Sequence, residues 1–129
     1  MAIERNDHKD IYPGGPTYVR AAKTGNTLYI SGTTAKNSSY ENGSPLEQLR
    51  VILDRITNIV TTEGGSYEDI ISMTTYVTDM RNFWPIEGEQ KDIWEHYFKG
   101  VWPTNAYVEV SALAEPNLVV ELSAIAIIE

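Results

Sequence analysis

The 129-residue sequence contains no cysteine, which removes disulfides and thiolate metal sites from consideration. Histidine is almost as scarce. His8 and His96 are the only two, far apart and without a second ligand at usable spacing, so no metal centre is expected. No apolar run approaches the roughly 20 residues of a membrane-spanning helix. The segment Met1 to Asp10 is polar and charged and lacks the apolar core of a signal peptide, so a cytoplasmic protein is expected. Positive charge is short as well: ten Lys and Arg stand against eighteen Asp and Glu, for a net charge of −8, and no two basic residues adjoin. Nucleic-acid binders ordinarily present a basic patch, so neither DNA nor RNA is an expected partner. A phosphate loop, a glycine-rich dinucleotide fingerprint and a Ser-His-Asp set are all missing.

What remains reads as a single domain over residues 1–129, long enough to bury a core without staples. The stretch Met1 to Gly15 is expected to be irregular, and Pro13-Gly14-Gly15-Pro16 punctuates it strongly. Thr17 to Lys23 and Thr27 to Ser31 read as paired strands, with Gly25-Asn26 as a two-residue hairpin turn. Ser44-Pro45-Leu46-Glu47 is a helix start. The serine caps free amides, proline fits the first helical position, and the glutamate reaches back to the cap amide. Leu49, Ile52, Leu53, Ile56, Ile59 and Val60 follow as one apolar stripe, and Gly64-Gly65 ends it. Ile70 to Asp79 reads as a strand and Asn82 to Lys99 as a second helix, with Phe83, Ile86, Gln90, Ile93, Trp94 and Tyr97 inward. Two strand-like runs, Trp102 to Leu113 and Leu118 to Ile128, flank the turn Ala114-Glu115-Pro116-Asn117. The order ββαβαββ implies an α+β layer, with two amphipathic helices on one face of a mixed sheet.

The last run carries one charge, Glu121, among apolar and small residues. A lone carboxylate in a buried strand is costly unless it is paired, hydrogen-bonded or protonated. It is therefore a candidate for proton transfer, the plain alternative being a carboxylate tied to backbone amides or a tyrosine.

The order and spacing of several pieces together resemble the RidA/YjgF family of reactive-intermediate deaminases over nearly the whole chain. These pieces are Gly15-Pro16 followed by Tyr18, Gly25 through Gly32, Thr74 through Met80, Trp102-Pro103, Val108-Glu109-Val110, and Glu121 through Ala126. The resemblance implies a chorismate-mutase-like fold and a homotrimer with an inner β-barrel. It also implies small-molecule clefts between subunits, and hydrolysis of enamines or imines such as 2-aminoacrylate to a 2-oxo acid and ammonia without a cofactor. Some relatives have been described as ribonucleases, which the acidic balance here argues against.

The resemblance also implies a site. Glu121 falls where the family holds or activates the attacking water. Tyr18, Ser31 and Gly32 match cleft-lining positions, and Thr33 stands where glutamine is common. Tyr107 replaces a small residue beside the ligand. The family's substrate-clamping arginine follows Pro-Ala, but here Pro103-Thr104 leads to Asn105. An asparagine amide offers donors and an acceptor but no charge and no guanidinium fork. The expected substrate is therefore a small enamine, imine or related C–N compound other than 2-aminoacrylate. A non-catalytic, metabolite-binding trimer is the alternative. Arg20 and Lys36 are the residues from which a replacement charge could come.

Overall fold

The computed structural model describes residues 2–129 and contains one six-stranded mixed sheet with two helices on one face. The strands are β1 (Ile3–Asn6), β2 (Ala21–Thr24), β3 (Thr27–Thr33), β4 (Ile70–Val77), β5 (Thr104–Glu109) and β6 (Val120–Ile127). The helices are α1 (Pro45–Thr62) and α2 (Gly88–Phe98). The sheet order is β1-β2-β3-β6-β4-β5, with β4 and β5 parallel and every other pair antiparallel.

Local chemistry sets most of these boundaries. Ser44 accepts a hydrogen bond from the Glu47 amide while Glu47 accepts one from the Ser44 amide, a reciprocal cap that opens α1. All six residues of the apolar stripe are fully buried. They pack on the inner residues of β3 and β6, where Leu28, Ile30, Leu122, Ala124 and Ala126 lie. Gly25, at a positive φ of 59°, makes the turn that pairs Thr24 with Thr27.

Two expectations are corrected. Residues Ile3–Asn6 are not irregular; they form β1, the exposed edge strand. No apolar alternation marks it, because it is held by pairing with β2 and by Asn6 and His8 bonding Glu63 at the end of α1. The second helix starts at Gly88 rather than Asn82. Asp79 caps a separate 3-10 turn over Met80–Asn82, and the chain then bends so that Phe83 is buried while Trp84 and Ile86 face outward. Gln90 bonds the Phe83 carbonyl at 2.8 Å, fixing that bend against α2.

The sheet's alternation separates the later site residues. On β6, Val120, Leu122, Ala124 and Ala126 are buried towards the helices, and Glu121, Ser123, Ile125 and Ile127 take the other face. On β4, Met73, Thr75 and Val77 face the helices. Met73 pairs with Asn105 and Thr75 with Tyr107, so Asn105 and Tyr107 share the helical side. Glu121 lies across the sheet from them.

Candidate functional site

A cleft of about 250 Å³ opens beside Glu121. Its lining includes Tyr12, Gly15, Tyr18, Gly32, Thr34, Lys36, Glu115 and Leu118. The glycines create it. A Cβ on Gly15 would strike the Tyr18 ring, and a Cβ on Gly32 would strike the Glu121 carboxylate. Gly32 belongs to an irregularity in the β3–β6 register between Ile30 and Thr33. Such a bulge re-aims side chains and backbone next to a site. It turns the Gly32 carbonyl towards Arg20, whose Nη1 donates to it at 3.0 Å.

Glu121 itself is half-buried and makes no side-chain hydrogen bond or ion pair among the described residues. Burial raises its pKa above the usual carboxylate value, and the Arg20 charge partly opposes the rise. A carboxyl tuned upward in this way can both accept and return a proton nearer neutral pH.

Of the other residues singled out from the sequence, Tyr18 and Gly32 line this cleft. Ser31 and Thr33 do not. The Ser31 hydroxyl donates to the Val19 carbonyl at 2.6 Å, and the fully buried Thr33 hydroxyl donates to the Ser31 carbonyl at 2.9 Å. Both brace the bulge.

Asn105 and Tyr107 belong to a second region. A pocket of about 350 Å³ is lined by Ile86, Lys91, Trp94, Trp102, Pro103 and Asn105. The Asn105 Oδ1 accepts a hydrogen bond from Thr75 at 3.0 Å, which leaves its amide hydrogens as the group free to meet a ligand. Tyr107 lies behind that pocket. Its hydroxyl donates to Gln90 Oε1 at 2.8 Å, and its ring meets Trp84 and Trp94 edge-on. Burial raises the phenol's pKa, so it stays protonated.

Sequence reasoning passed over Tyr12, Thr34, Glu115 and Leu118. The residues 12–15 and 115–118 sit in irregular segments without periodicity, and only the glycine pair and the Pro116 punctuation hinted that the chain folds back there.

The arrangement is that of a known fold. The family model described as Endoribonuclease L-PSP matches residues 11–128. A RutC family protein from Pyrococcus horikoshii is 33% identical over 117 residues, covering 88% of each chain. The crystal structure of a conserved Rid family protein from Yersinia pestis superposes with a TM-score of 0.84 at 26% identity, over 98% of this chain and all of that one. Yeast Mmf1 superposes at 0.85 with 24% identity, over 99% of this chain and all of Mmf1, a likeness of fold. This chain therefore belongs to the RidA/YjgF family, which the L-PSP model describes. Among the described residues, no helix is long and apolar enough to cross a membrane.

Proposed function

We propose that the protein hydrolyses a small enamine or imine in a cleft shared between subunits of a cytoplasmic homotrimer. The observation that carries this reading is Glu121: a half-buried carboxyl without a side-chain partner, raised in pKa, on the floor of a glycine-built cleft. In its ionised form it takes a proton from water as the oxygen bonds to the imine carbon. Starting from the protonated imine, the resulting neutral carbinolamine takes that proton at nitrogen, and as ammonia leaves its hydroxyl gives its own proton to the Glu121 carboxylate, leaving the carbonyl product. The water supplies the oxygen and no electrons change hands, so the step needs no cofactor. An enamine first gains a proton at carbon to become the imine.

The same geometry supports the trimer. Within one chain the Asn105 pocket and the Glu121 cleft lie on opposite faces of the sheet. Tyr29, Ile71, Trp84, Trp102 and Val108 are all large, apolar and exposed. Exposed apolar surface of that kind marks an interaction face. Packing one protomer's Trp102–Asn105 edge against the next protomer's Glu121 cleft would bury it and join the halves.

The test is ammonia release from a panel of freshly generated imines, with light scattering to give the assembly state. Turnover that Glu121→Gln abolishes supports the reading. Unchanged turnover in that variant removes Glu121 from the mechanism. Asn105, in place of a charged clamp, favours a second reading, a trimer that binds a metabolite without converting it. Thermal stabilisation by a ligand, with no bound imine turned over, would select that one. RNA cleavage lost in the Glu121 variant would instead assign the nuclease activity named in the family description.

A further inference from the structure

The pocket beside Asn105 is chemically one-sided. Its walls are Ile86, Trp94, Trp102 and Pro103, and Lys91 is the one charged residue on its lining. The polar groups behind those walls are already satisfied within the chain. Gln90 Oε1 accepts from the Tyr107 hydroxyl at 2.8 Å and from the Trp94 indole N–H at 3.3 Å, while Gln90 Nε2 donates to the Phe83 carbonyl at 2.8 Å. With its N–H engaged, Trp94 can offer the cavity only its ring. That ring stacks on Phe98 at 5.6 Å and meets Tyr107 edge-on at 6.5 Å, which fixes the back wall. Thr75 donates to the Asn105 Oδ1 at 3.0 Å, so the amide presents its N–H groups.

A pocket of about 350 Å³ with apolar walls and one free amide selects its ligand by exclusion. A strongly polar group would shed water there and find few partners. An aromatic ring loses nothing and gains the burial of its own surface. Ile86 and Trp102 are exposed in the single chain, so covering them adds to that gain. Lys91 is exposed and makes no ion pair among the described residues. A lone ammonium in water adds little to the binding of an anion. We infer that this pocket takes an aromatic side chain of an uncharged ligand, with the Asn105 amide donating to a carbonyl oxygen beside that side chain. As a substrate, the ligand is an imine with an aryl substituent and a neutral carbonyl group. That identification rests on the hydrolytic reading; the pocket's preference for a ring does not. In the assembly proposed above, the reacting carbon lies beside Glu121 while the ring reaches into the adjoining protomer's pocket.

The experiment titrates the protein with 3-phenylpropanamide and with propanamide, read by calorimetry and by quenching of tryptophan emission. The aryl amide should bind about tenfold or more tighter. Trp102→Ala should erase most of that preference, and Ile86→Ala should reduce it. Trp102 is 54% exposed, so the fold should tolerate its loss, and circular dichroism checks that each variant folds. Asn105→Ala should weaken both amides by a similar factor, about fivefold, and keep the preference for the ring. Equal affinity for the two amides would overturn the proposal, as would an unchanged preference in both wall variants. So would tighter binding of 3-phenylpropanoate than of its amide, which would assign the pocket to an anion at Lys91. The freshly generated imines of 3-phenyl-2-oxopropanamide and 2-oxopropanamide supply the second arm. Faster turnover of the aryl imine, lost in Trp102→Ala, supports the substrate assignment. Equal turnover of the two would reject that assignment and keep hydrolysis. Ring-selective binding with no imine turned over would reject hydrolysis and keep the pocket.

Discussion

The cleft around Glu121 and the pocket beside Trp102 are built from opposite materials. The first is made by close backbone approach at Gly15 and Gly32 and is lined by hydroxyls, a lysine and two carboxylates. The second is made by large side chains, with Ile86, Trp94 and Trp102 around one amide and one lysine. The polar cleft is shaped by residues that are absent, and the aromatic pocket by residues that are present. Substitutions should therefore act on the first by adding atoms and on the second by removing them.

The largest expected effect is in the polar cleft. Glu121→Gln should lower the rate of imine hydrolysis by about 10²–10⁴-fold, the usual worth of a positioned acid–base group, as read by ammonia release. The same residue sets two pH responses. In the proposed hydrolysis a base acts only when ionised, so the raised pKa of Glu121 should put the acidic fall in kcat/KM above the ordinary carboxylate range. For stability the sign is reversed. The folded state holds this proton more tightly than the unfolded chain does. The contribution is therefore complete below the ordinary value near 4.5 and is lost as pH rises through the raised one. Glu121→Gln should remove that loss and unfold at a modestly higher temperature at neutral pH. A lower melting temperature would show that the ionised carboxylate is stabilised by contacts beyond Arg20.

Gly32→Ala comes next. Its methyl group would meet the end of a flexible side chain, so the fold should survive while the carboxyl is pushed aside. Hydrolysis should fall about tenfold or more for a stability change within about 1–3 kcal/mol. Activity retained in full would mean that the carboxyl works equally well from a displaced position.

On the aromatic side, Gln90→Leu deletes the acceptor of the Tyr107 hydroxyl and Trp94 indole, and the donor to the Phe83 carbonyl. Leaving such buried groups unpaired should cost about 2–3 kcal/mol in urea unfolding. The pH profile of hydrolysis should keep its shape, because none of these groups touches Glu121. A shifted profile would break the separation of the two regions. The smallest effect should come from Ser44→Ala, remote from both. Losing its half of the cap should cost about 1 kcal/mol in the same unfolding assay and leave KM unchanged.

The legibility of the chain followed the range of the forces involved. The α1 cap, its apolar stripe and the Gly25-Asn26 turn involve residues at most a few positions apart, so spacing alone reveals them. The β1 strand and the late start of α2 escaped because their supports are distant: Glu63 holds the residues around β1, and Phe83 is tied down by Gln90. At the site, Glu121 was readable as the single charge in a buried strand, and Tyr18 and Gly32 through family resemblance. Ser31 matched its family position equally well and Thr33 stood where glutamine is common, yet both hydroxyls are bound to main-chain carbonyls. Spacing cannot say which way a bulge turns a side chain.

Residue order alone settled the alternation that puts Glu121 on one face of its strand, the amphipathic stripe that covers the other, and the lack of charge at position 105. These are consequences of backbone period and side-chain chemistry, which need no partner to act. Only the packed chain decided that Asn105 lies across the sheet from Glu121, and that Arg20, Lys36 and Arg55 gather around Tyr12. Those neighbours are brought together by strand order and turn geometry, and their energies exist only once the intervening segments have closed.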